Sequence, residues 1–277
     1  MPMLKEALSG LLSNEEISIL SSSFDIIGDI AIIKIPDKLH SREDTIANAI
    51  LSRMKNVRTV LNQTSNVEGE FRVRKVRFIA GEEKFETIYK ESGCLFRVDV
   101  SSVYFSPRLS TERERIAELV KQGERIFNMF AGVGTFSVIV AKKKICTIES
   151  VDKNPRAIEL AKETLGLNRK LKGKVNPILA DAFDYSSDNL SSFDRVLMPL
   201  PEKSFNFLNS AFSSLKEGGM VHYYTHVSQE EFLDKTWIEG HLASAKIPRK
   251  LEVMKWKRVR EVGPRYIQAV ADILSID

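Results

Sequence analysis

A short glycine-containing loop is the first part of this 277-residue sequence that could hold a ligand. It reads Phe-Ala-Gly-Val-Gly-Thr-Phe, and its candidate contacts are Phe130, Ala131, Gly132 and Gly134. Glycine brings the backbone close to a ligand because it has no Cβ, and a helix that starts after the loop offers free N–H groups. An ordinary strand-to-helix turn can contain the same residues, so the loop alone does not identify a nucleotide site.

Two carboxylates stand where a nucleoside needs hydrogen-bond acceptors. Asp152 follows a predicted strand at residues 145–151, about 20 residues after the glycines, where an acid accepts bonds from both ribose hydroxyls. Asp181 follows the next apolar segment, where a carboxylate can accept a bond from the adenine amino group. The longer Gly-x-Gly-x-x-Gly loop of dinucleotide sites is missing. The pattern therefore predicts S-adenosyl-L-methionine rather than NAD.

A carboxylate and a guanidinium four residues apart could share one helix face. Pro107 can start a helix, and Arg108 and Glu112 would then be neighbours on its surface. A carboxylate beside a reacting base can take up its proton, and an arginine can stabilise the charge that develops. The same pair could instead be a plain intrahelical ion pair, and the residues alone leave both interpretations open.

Alternating strands and helices are predicted to position these groups. Strands are predicted at residues 125–129, 145–151, 176–179, 195–200 and 220–225, with helices that include 135–143 and 155–167, and an antiparallel hairpin at 254–259 and 266–273. This alternation is typical of a parallel, doubly wound sheet. The fold class is therefore α/β, with a Rossmann-like domain over residues 106–277.

Residues 1–105 predict a smaller α+β domain. It should contain a helical lead-in within residues 1–20, β structure at 26–35 with a turn at Gly28-Asp29, a helix at 41–54 capped by Ser41, and antiparallel strands within 56–105.

The composition excludes several classes of protein. Two cysteines are too few for a disulfide framework, and the four histidines lack metal-ligand spacing, so no metal is expected. The N-terminus has no apolar signal region, and no apolar run is long enough to span a membrane. A cytoplasmic protein without membrane contact is expected.

Cationic residues cluster in two segments predicted to be strands. They are Arg72, Arg74, Lys75 and Arg77 in the first, and Lys255, Lys257, Arg258, Arg260 and Arg265 in the second, which also holds Trp256 and Tyr266. Clustered cations suit phosphate contact, and interleaved aromatic rings suit base stacking. Such a charge run is more often a solvated face, and the net charge of +4 adds little.

Three motifs together resemble a known family. They are Tyr-Phe-Ser-Pro-Arg-Leu-Ser-Thr-Glu-Arg at residues 104–113, the glycine loop, and Asp-Lys-Asn-Pro at 152–155. The sequence resembles the archaeal and eukaryotic tRNA guanine-37 N1-methyltransferases and their relatives in wyosine biosynthesis, over nearly the whole chain. The resemblance implies a class I methyltransferase domain, S-adenosyl-L-methionine as cofactor, and the tRNA anticodon region at position 37 as substrate; a monomer is expected.

The resemblance also implies individual roles. Glu112 is similar to the residue proposed as general base in this family, and Arg72 to an arginine that stabilises charge on the guanine. Besides the loop, the residues implied at the cofactor pocket and around it are Tyr104, Ser106, Arg108, Arg113, Asp152, Lys153, Asp181 and Ala182.

The sequence departs from the family pattern in three places. Asn128 stands where the family often has an acid, and the small N-terminal domain that grips the tRNA elbow in related enzymes is expected to be absent. Pro199-Leu200-Pro201 replaces the usual Asn-Leu-Pro, which makes Pro199 and Pro201 candidate residues of the catalytic pocket. This version resembles the archaeal subgroup that methylates C7 of the tricyclic precursor 4-demethylwyosine, with or without guanine N1 activity. A strand-end kink would explain the same prolines.

Two other activities compete with methyl transfer. The family includes a paralogue that transfers the aminocarboxypropyl group of the same cofactor, and it also lacks the extra N-terminal domain. An inactive tRNA-binding protein with the same fold is the third alternative. The presence of Arg72, Glu112 and both strand-end acids favours an active methyltransferase.

Overall fold

The computed structural model describes residues 6, 8–20, 24–66, 68–234 and 236–276. The chain divides into two compact units, Met1–Pro107 and Arg108–Asp277, whereas the sequence placed a domain boundary after residue 105. The helix expected within residues 1–20 lies partly outside the described residues, and a helix is seen at Asn14–Ile19.

The first unit is an α+β structure. Its helices are α1 (Asn14–Ile19) and α2 (Glu43–Arg53), and its strands are β1 (Asp25–Ile27), β2 (Ile30–Ile33), β3 (Thr59–Gln63), β4 (Val76–Gly81), β5 (Glu86–Glu91) and β6 (Cys94–Asp99). Strands β1 to β4 form one sheet in chain order, and β5 and β6 pair separately. Ile33, Ile46, Ile50 and Val60 are fully buried between the sheet and α2.

The turn between β1 and β2 lies at Gly28-Asp29, as predicted. Gly28 has φ +58°, and a Cβ there would lie 2.1 Å from the Thr87 hydroxyl, so a larger residue would clash. The predicted Ser41 cap is wrong: a 3₁₀ turn at Asp37–Arg42 leads into α2, and the side chain of Arg42 at the cap position makes no capping hydrogen bond. Within residues 56–105, β3 pairs with β4 and β5 pairs with β6, both antiparallel as predicted, and β3 also pairs in parallel with β2.

The second unit is a mostly parallel sheet with helices between its strands. The helices are α3 (Ser110–Leu119), α4 (Thr135–Lys143), α5 (Pro155–Leu167), α6 (Ala182–Ser187), α7 (Leu208–Ser214), α8 (Gln229–Leu233) and α9 (Trp237–Ser244). The strands are β7 (Arg125–Asn128), β8 (Thr147–Asp152), β9 (Lys174–Leu179), β10 (Phe193–Met198), β11 (Leu215–Ser228), β12 (Leu251–Glu261) and β13 (Tyr266–Ser275). The α/β class and the five parallel strands are as predicted.

Local sequence accounts for the best-predicted helix, α5. The Asn154 side chain caps it by accepting a bond from the Arg156 N–H at 3.0 Å, and Pro155 occupies the first turn. Ile158 and Leu160 lie on its buried face. The cap fixes the end of β8, and therefore the position of Asp152.

The strand order is β12-β13-β11-β10-β7-β8-β9. Strand β13 runs antiparallel between β11 and β12, so β12 is an edge strand. Strand β7 is central, with β8 on one side and β10 on the other. The chain direction across the sheet therefore reverses between β7 and β10, and in such sheets ligands bind outside the carboxyl ends of the strands at that point.

Candidate functional site

The glycine loop and Asp152 are joined directly. Gly132 and Gly134 have φ values of +55° and +81°, which suit glycine. The Gly132 N–H donates to Asp152 Oδ2 at 2.7 Å, and the Asn154 N–H donates to Oδ1 at 2.9 Å. Burial raises the pKa of Asp152, and the backbone N–H bonds act against that rise.

Asp181 stands at the end of the neighbouring strand, β9. Its Oδ1 caps α6 by accepting from the Phe183 N–H at 2.8 Å, and its Oδ2 lies 3.3 Å from the Lys153 ammonium. Ala182 is buried beside it, whereas the Phe183 side chain is 57% exposed. The two predicted nucleoside acceptors thus lie at adjacent strand ends, next to the glycine loop.

Asn128 is inside the sheet. Its amide donates to the Ser137 hydroxyl at 3.1 Å, and that hydroxyl lies 2.9 Å from the Ser150 hydroxyl. Among the described residues, Asn128 Oδ1 has no hydrogen-bond partner. The three side chains connect β7, α4 and β8 beneath the loop.

Pro199 and Pro201 follow β10 on the other side of the reversal point. The Ser204 hydroxyl lies within hydrogen-bond distance of the Met198 and Leu200 carbonyls, at 2.9 and 2.8 Å. Pro201 is buried and Pro199 is half-buried. The segment is therefore a rigid, tightly bonded turn at the carboxyl end of a central strand.

The Glu112 carboxylate is almost entirely buried in the second unit, with 3% of the residue exposed. Arg115 donates to it twice, through Nε to Oε2 at 2.9 Å and through Nη2 to Oε1 at 2.7 Å. The Tyr224 hydroxyl donates to Oε1 at 2.7 Å. The ion pair considered from sequence was with Arg108, which is exposed and lies in a 3₁₀ turn at Pro107–Leu109.

Arg115 links Glu112 to a second buried acid, Asp272 on β13. Its Nη1 donates to Asp272 Oδ2 at 2.6 Å, and its Nη2 donates to Oδ1 at 3.1 Å. Burial alone would raise the pKa of Asp272, but the hydrogen bonds and charges of His222 and Arg115 hold it well below the usual value. His222 is fully buried, and its Nδ1 lies 2.6 Å from Asp272 Oδ1.

The sequence interpretation missed Arg115, Tyr224 and Asp272. Arg115 is one helical turn from Glu112, and Asp272 is the one acid within the otherwise apolar run at residues 269–274. An acid at a strand position with buried neighbours needs a partner, and that was the available signal.

The sequence-predicted residues of the first unit also come together. The Arg72 guanidinium lies 4.8 Å from the centre of the Tyr104 ring, within the range of a cation–π contact. Arg72 lies in the turn before β4 and has φ +54°, so the prediction that it belongs to a strand is wrong. Ser106 is buried in this unit, and Arg113 is buried in the second.

The basic hairpin of β12 and β13 differs from the expectation of interleaved stacking rings. Trp256 packs against Phe232 and Trp237, with ring centres 5.4 and 5.9 Å away, and its indole N–H donates to the Phe232 carbonyl. Trp256 is therefore half-buried, in ring contacts within the protein itself. Tyr266 is 56% exposed, and Arg258 forms an ion pair with Glu261.

Two further observations concern the described ranges as a whole. They contain no group of three or more His, Cys, Asp or Glu side chains that could hold a metal ion. None of their helices is long and apolar enough to cross a membrane.

A glycine loop and strand-end acids at the reversal point of this sheet define a class I S-adenosylmethionine-dependent transferase. Residues 87–254 match the TRM5/TYW2 methyltransferase domain, and residues 4–84 match the TYW2 N-terminal domain. The chain therefore belongs to the TRM5/TYW2 methyltransferase family.

Three relatives with curated names represent its branches. A tRNA (guanine(37)-N(1))-methyltransferase Trm5b of Pyrococcus abyssi is 39% identical over 91% of this chain and 74% of its own length. A tRNA 4-demethylwyosine(37)-methyltransferase Taw21 of Saccharolobus solfataricus is 34% identical over 90% of this chain and 92% of its own. A tRNA(Phe) (4-demethylwyosine(37)-C(7)) aminocarboxypropyltransferase of Methanocaldococcus jannaschii is 32% identical, with shares of 89% and 95%.

Solved structures agree with the fold. The complex of aTrm5 with tRNALeu has a TM-score of 0.84 at 33% identity, covering 99% of this chain and 78% of that one. M. jannaschii TYW2 in complex with AdoMet has a TM-score of 0.66 at 27% identity, covering 92% and 100%. These relationships confirm the family, fold and cofactor class predicted from the sequence.

Proposed function

We propose that this enzyme methylates the purine at position 37 of tRNA, at guanine N1, at C7 of 4-demethylwyosine, or at both. The observation that carries the proposal is the placement of Asp152, Asp181 and the glycine loop at one sheet edge, in a chain related to enzymes named for that nucleotide. When bound, S-adenosyl-L-methionine supplies a methyl group on a sulfonium. Asp152 would hold the ribose and Asp181 the adenine, with Phe130, Ala131 and Lys153 around them.

Methyl transfer to N1 needs a base because the N1 proton must leave. The N1 proton would pass to a carboxylate, which we assign to Glu112. For C7, the proton leaves carbon after the methyl group arrives. Arg72 would stabilise charge on the purine oxygen. Its left-handed backbone supports this role, because strained non-glycine residues concentrate at functional sites.

The Pro199-Leu200-Pro201 turn supports a tricyclic substrate. A proline side chain offers no amide to bond a base edge, so this wall of the pocket is apolar. A relative named tRNA 4-demethylwyosine(37)-methyltransferase is 34% identical to this chain.

Aminocarboxypropyl transfer is the second candidate, supported by the M. jannaschii relative. One assay separates the candidates. The enzyme is incubated with the cofactor and with tRNA that carries either guanosine or 4-demethylwyosine at position 37, and the mass of the modified nucleoside is measured by mass spectrometry. A gain of one methyl group on either nucleoside supports the proposal. A gain of the aminocarboxypropyl group contradicts the proposal and supports the second candidate. If neither tRNA is modified, both candidate functions are contradicted.

Contact with tRNA is proposed for residues 1–105 and for the β12–β13 hairpin. Recognition of the anticodon region, a monomeric state and a cytoplasmic location stay predictions from the sequence.

A further inference from the structure

The two oxygens of the Glu112 carboxylate are not equivalent. A carboxylate has about four acceptor positions, two on each oxygen. Oε1 uses both of its positions, for Arg115 Nη2 and the Tyr224 hydroxyl. Within the described part of the chain, Oε2 accepts only from Arg115 Nε and so keeps one position.

We propose that Arg115 and Tyr224 are positioning residues that anchor Oε1 and present Oε2 as the atom that accepts the substrate's proton. This inference rests on the proposed role of Glu112 as general base. The bidentate guanidinium fixes the plane of the carboxylate, and the hydroxyl fixes its rotation. Because the carboxylate already has its reactive orientation, no conformational entropy is lost in orienting it during the reaction.

Arg115 is itself immobilised. Asp272 accepts from its Nη1 and Nη2, and Asp272 is held in turn by His222. Beyond His222, Arg195 Nη1 lies 2.6 Å from the imidazole Nε2, and Glu124 pairs with Arg195 at 2.7 Å. The anchor thus extends from α3 through β13, β11 and β10.

The tautomer of His222 follows from its partners. Arginine only donates, so Arg195 must donate to Nε2, which therefore carries no proton. The single proton of the neutral ring then lies on Nδ1 and is donated to Asp272. Burial, which lowers the pKa of His222, agrees with a neutral ring. In the hydrogen bonds from Arg195 through His222 and Asp272 to Arg115, every donor therefore meets an acceptor.

Lys257 is the remaining charged group beside the free position. Its ammonium lies 3.9 Å from Oε2, and its side chain is 36% exposed. Tyr224 stays protonated at any working pH, because burial and the Glu112 charge raise its pKa well above the usual value. The groups that face Glu112 are therefore Arg115, Tyr224 and Lys257.

The test is the pH dependence of the single-turnover rate with saturating tRNA and cofactor. Tyr224→Phe removes one hydrogen bond to the ionised carboxylate and leaves the ring in place. We expect the acid limb of the profile to move up by about one pH unit, because hydrogen bonds to a charged group favour the charged form. Tyr223→Phe is the matched control: this neighbouring buried tyrosine lies 2.8 Å from His241 and should leave the acid limb in place.

Arg115→Lys gives a second measurement, because it keeps the charge and loses the two-point contact. We expect the single-turnover rate to fall at least tenfold while tRNA and cofactor affinities stay unchanged. Glu112→Gln separates the base assignment from the positioning role. If Glu112→Gln turns over at the wild-type rate, the base assignment fails. If Glu112→Gln is slow but Tyr224→Phe keeps the wild-type acid limb, the positioning role is overturned and the base assignment stands.

Discussion

Asp272→Asn should destabilise the second unit strongly while nearly preserving the shape of the side chain. Asp272 accepts two bonds from Arg115 and one from His222, and its side chain is 6% exposed. The NH₂ group of the asparagine that replaces one carboxylate oxygen is a hydrogen-bond donor, and it would face the N–H donors of Arg115 or His222. Removing one partner of a buried ion pair costs about 3–5 kcal/mol. Because Arg115 keeps Glu112, we expect the lower end of that range.

The chain offers a selective assay for this loss. It has two tryptophans, Trp237 and Trp256, and both lie in the second unit. Tryptophan fluorescence during urea unfolding at neutral pH therefore reports on that unit. The midpoint should fall while the slope stays near the wild-type value, because the surface exposed on unfolding is unchanged.

Asp234→Asn is the control for this measurement. Asp234 accepts bonds from the Thr236 N–H and hydroxyl at an exposed position, so its amide variant should lose about 1 kcal/mol or less. An Asp272→Asn protein that unfolds within about 1 kcal/mol of wild type would refute the view that the buried chain of bonds holds this unit together.

Three further results are expected. Asp152→Ala should weaken cofactor binding more than tenfold in calorimetry, since bonds to a charged acceptor contribute about 1.5–3 kcal/mol; an unchanged dissociation constant would place the ribose elsewhere. Lys255→Ala with Arg265→Ala should raise the KM for tRNA and lower its salt slope by about one per lost contact, whereas an unchanged slope would exclude this hairpin as the footprint. Stability should fall as the pH drops below about 6.5, because the unfolded chain protonates His222 and His241 there, whereas burial lowers the pKa of both rings in the folded protein. Each histidine that binds a proton only in the unfolded chain lowers the free energy of unfolding by up to about 1.4 kcal/mol per pH unit. The measurement is tryptophan fluorescence during urea unfolding of an Asp152→Asn variant, because burial raises the pKa of Asp152 and its protonation would stabilise the fold as the pH drops. The free energy of unfolding should fall between pH 6.5 and 5, and a flat profile would contradict the prediction.

The choice of Lys255 and Arg265 comes from the structure. Both are exposed, and within the described ranges neither side chain makes a hydrogen bond or ion pair. Lys257, in contrast, lies 3.9 Å from Glu112, so its removal would mix an effect on tRNA binding with one on the proposed base. Arg169→Ala with Lys170→Ala, an exposed pair after α5, is the matched control.

The sequence by itself determined the features that depend on neighbours along the chain. Asn154 and Pro155 specify the start of α5, and the Gly28-Asp29 pair specifies the first turn. The alternation of strands and helices specified a parallel sheet, and parallel strands bring their carboxyl ends to one edge. For that reason the sequence alone places Asp152 and Asp181 close together.

Only the tertiary structure decided which distant residues become partners. Glu112 and Tyr224 are 112 positions apart, and Arg115 and Asp272 are 157 positions apart. They meet because β13 inserts between β11 and β12, and local propensity does not encode that order. The same packing puts Trp256, which the sequence suggested as a stacking surface, in ring contact with Phe232 and Trp237. Local patterns record short-range hydrogen bonding and apolar periodicity, whereas the pairing of buried charges is fixed by how the strands assemble.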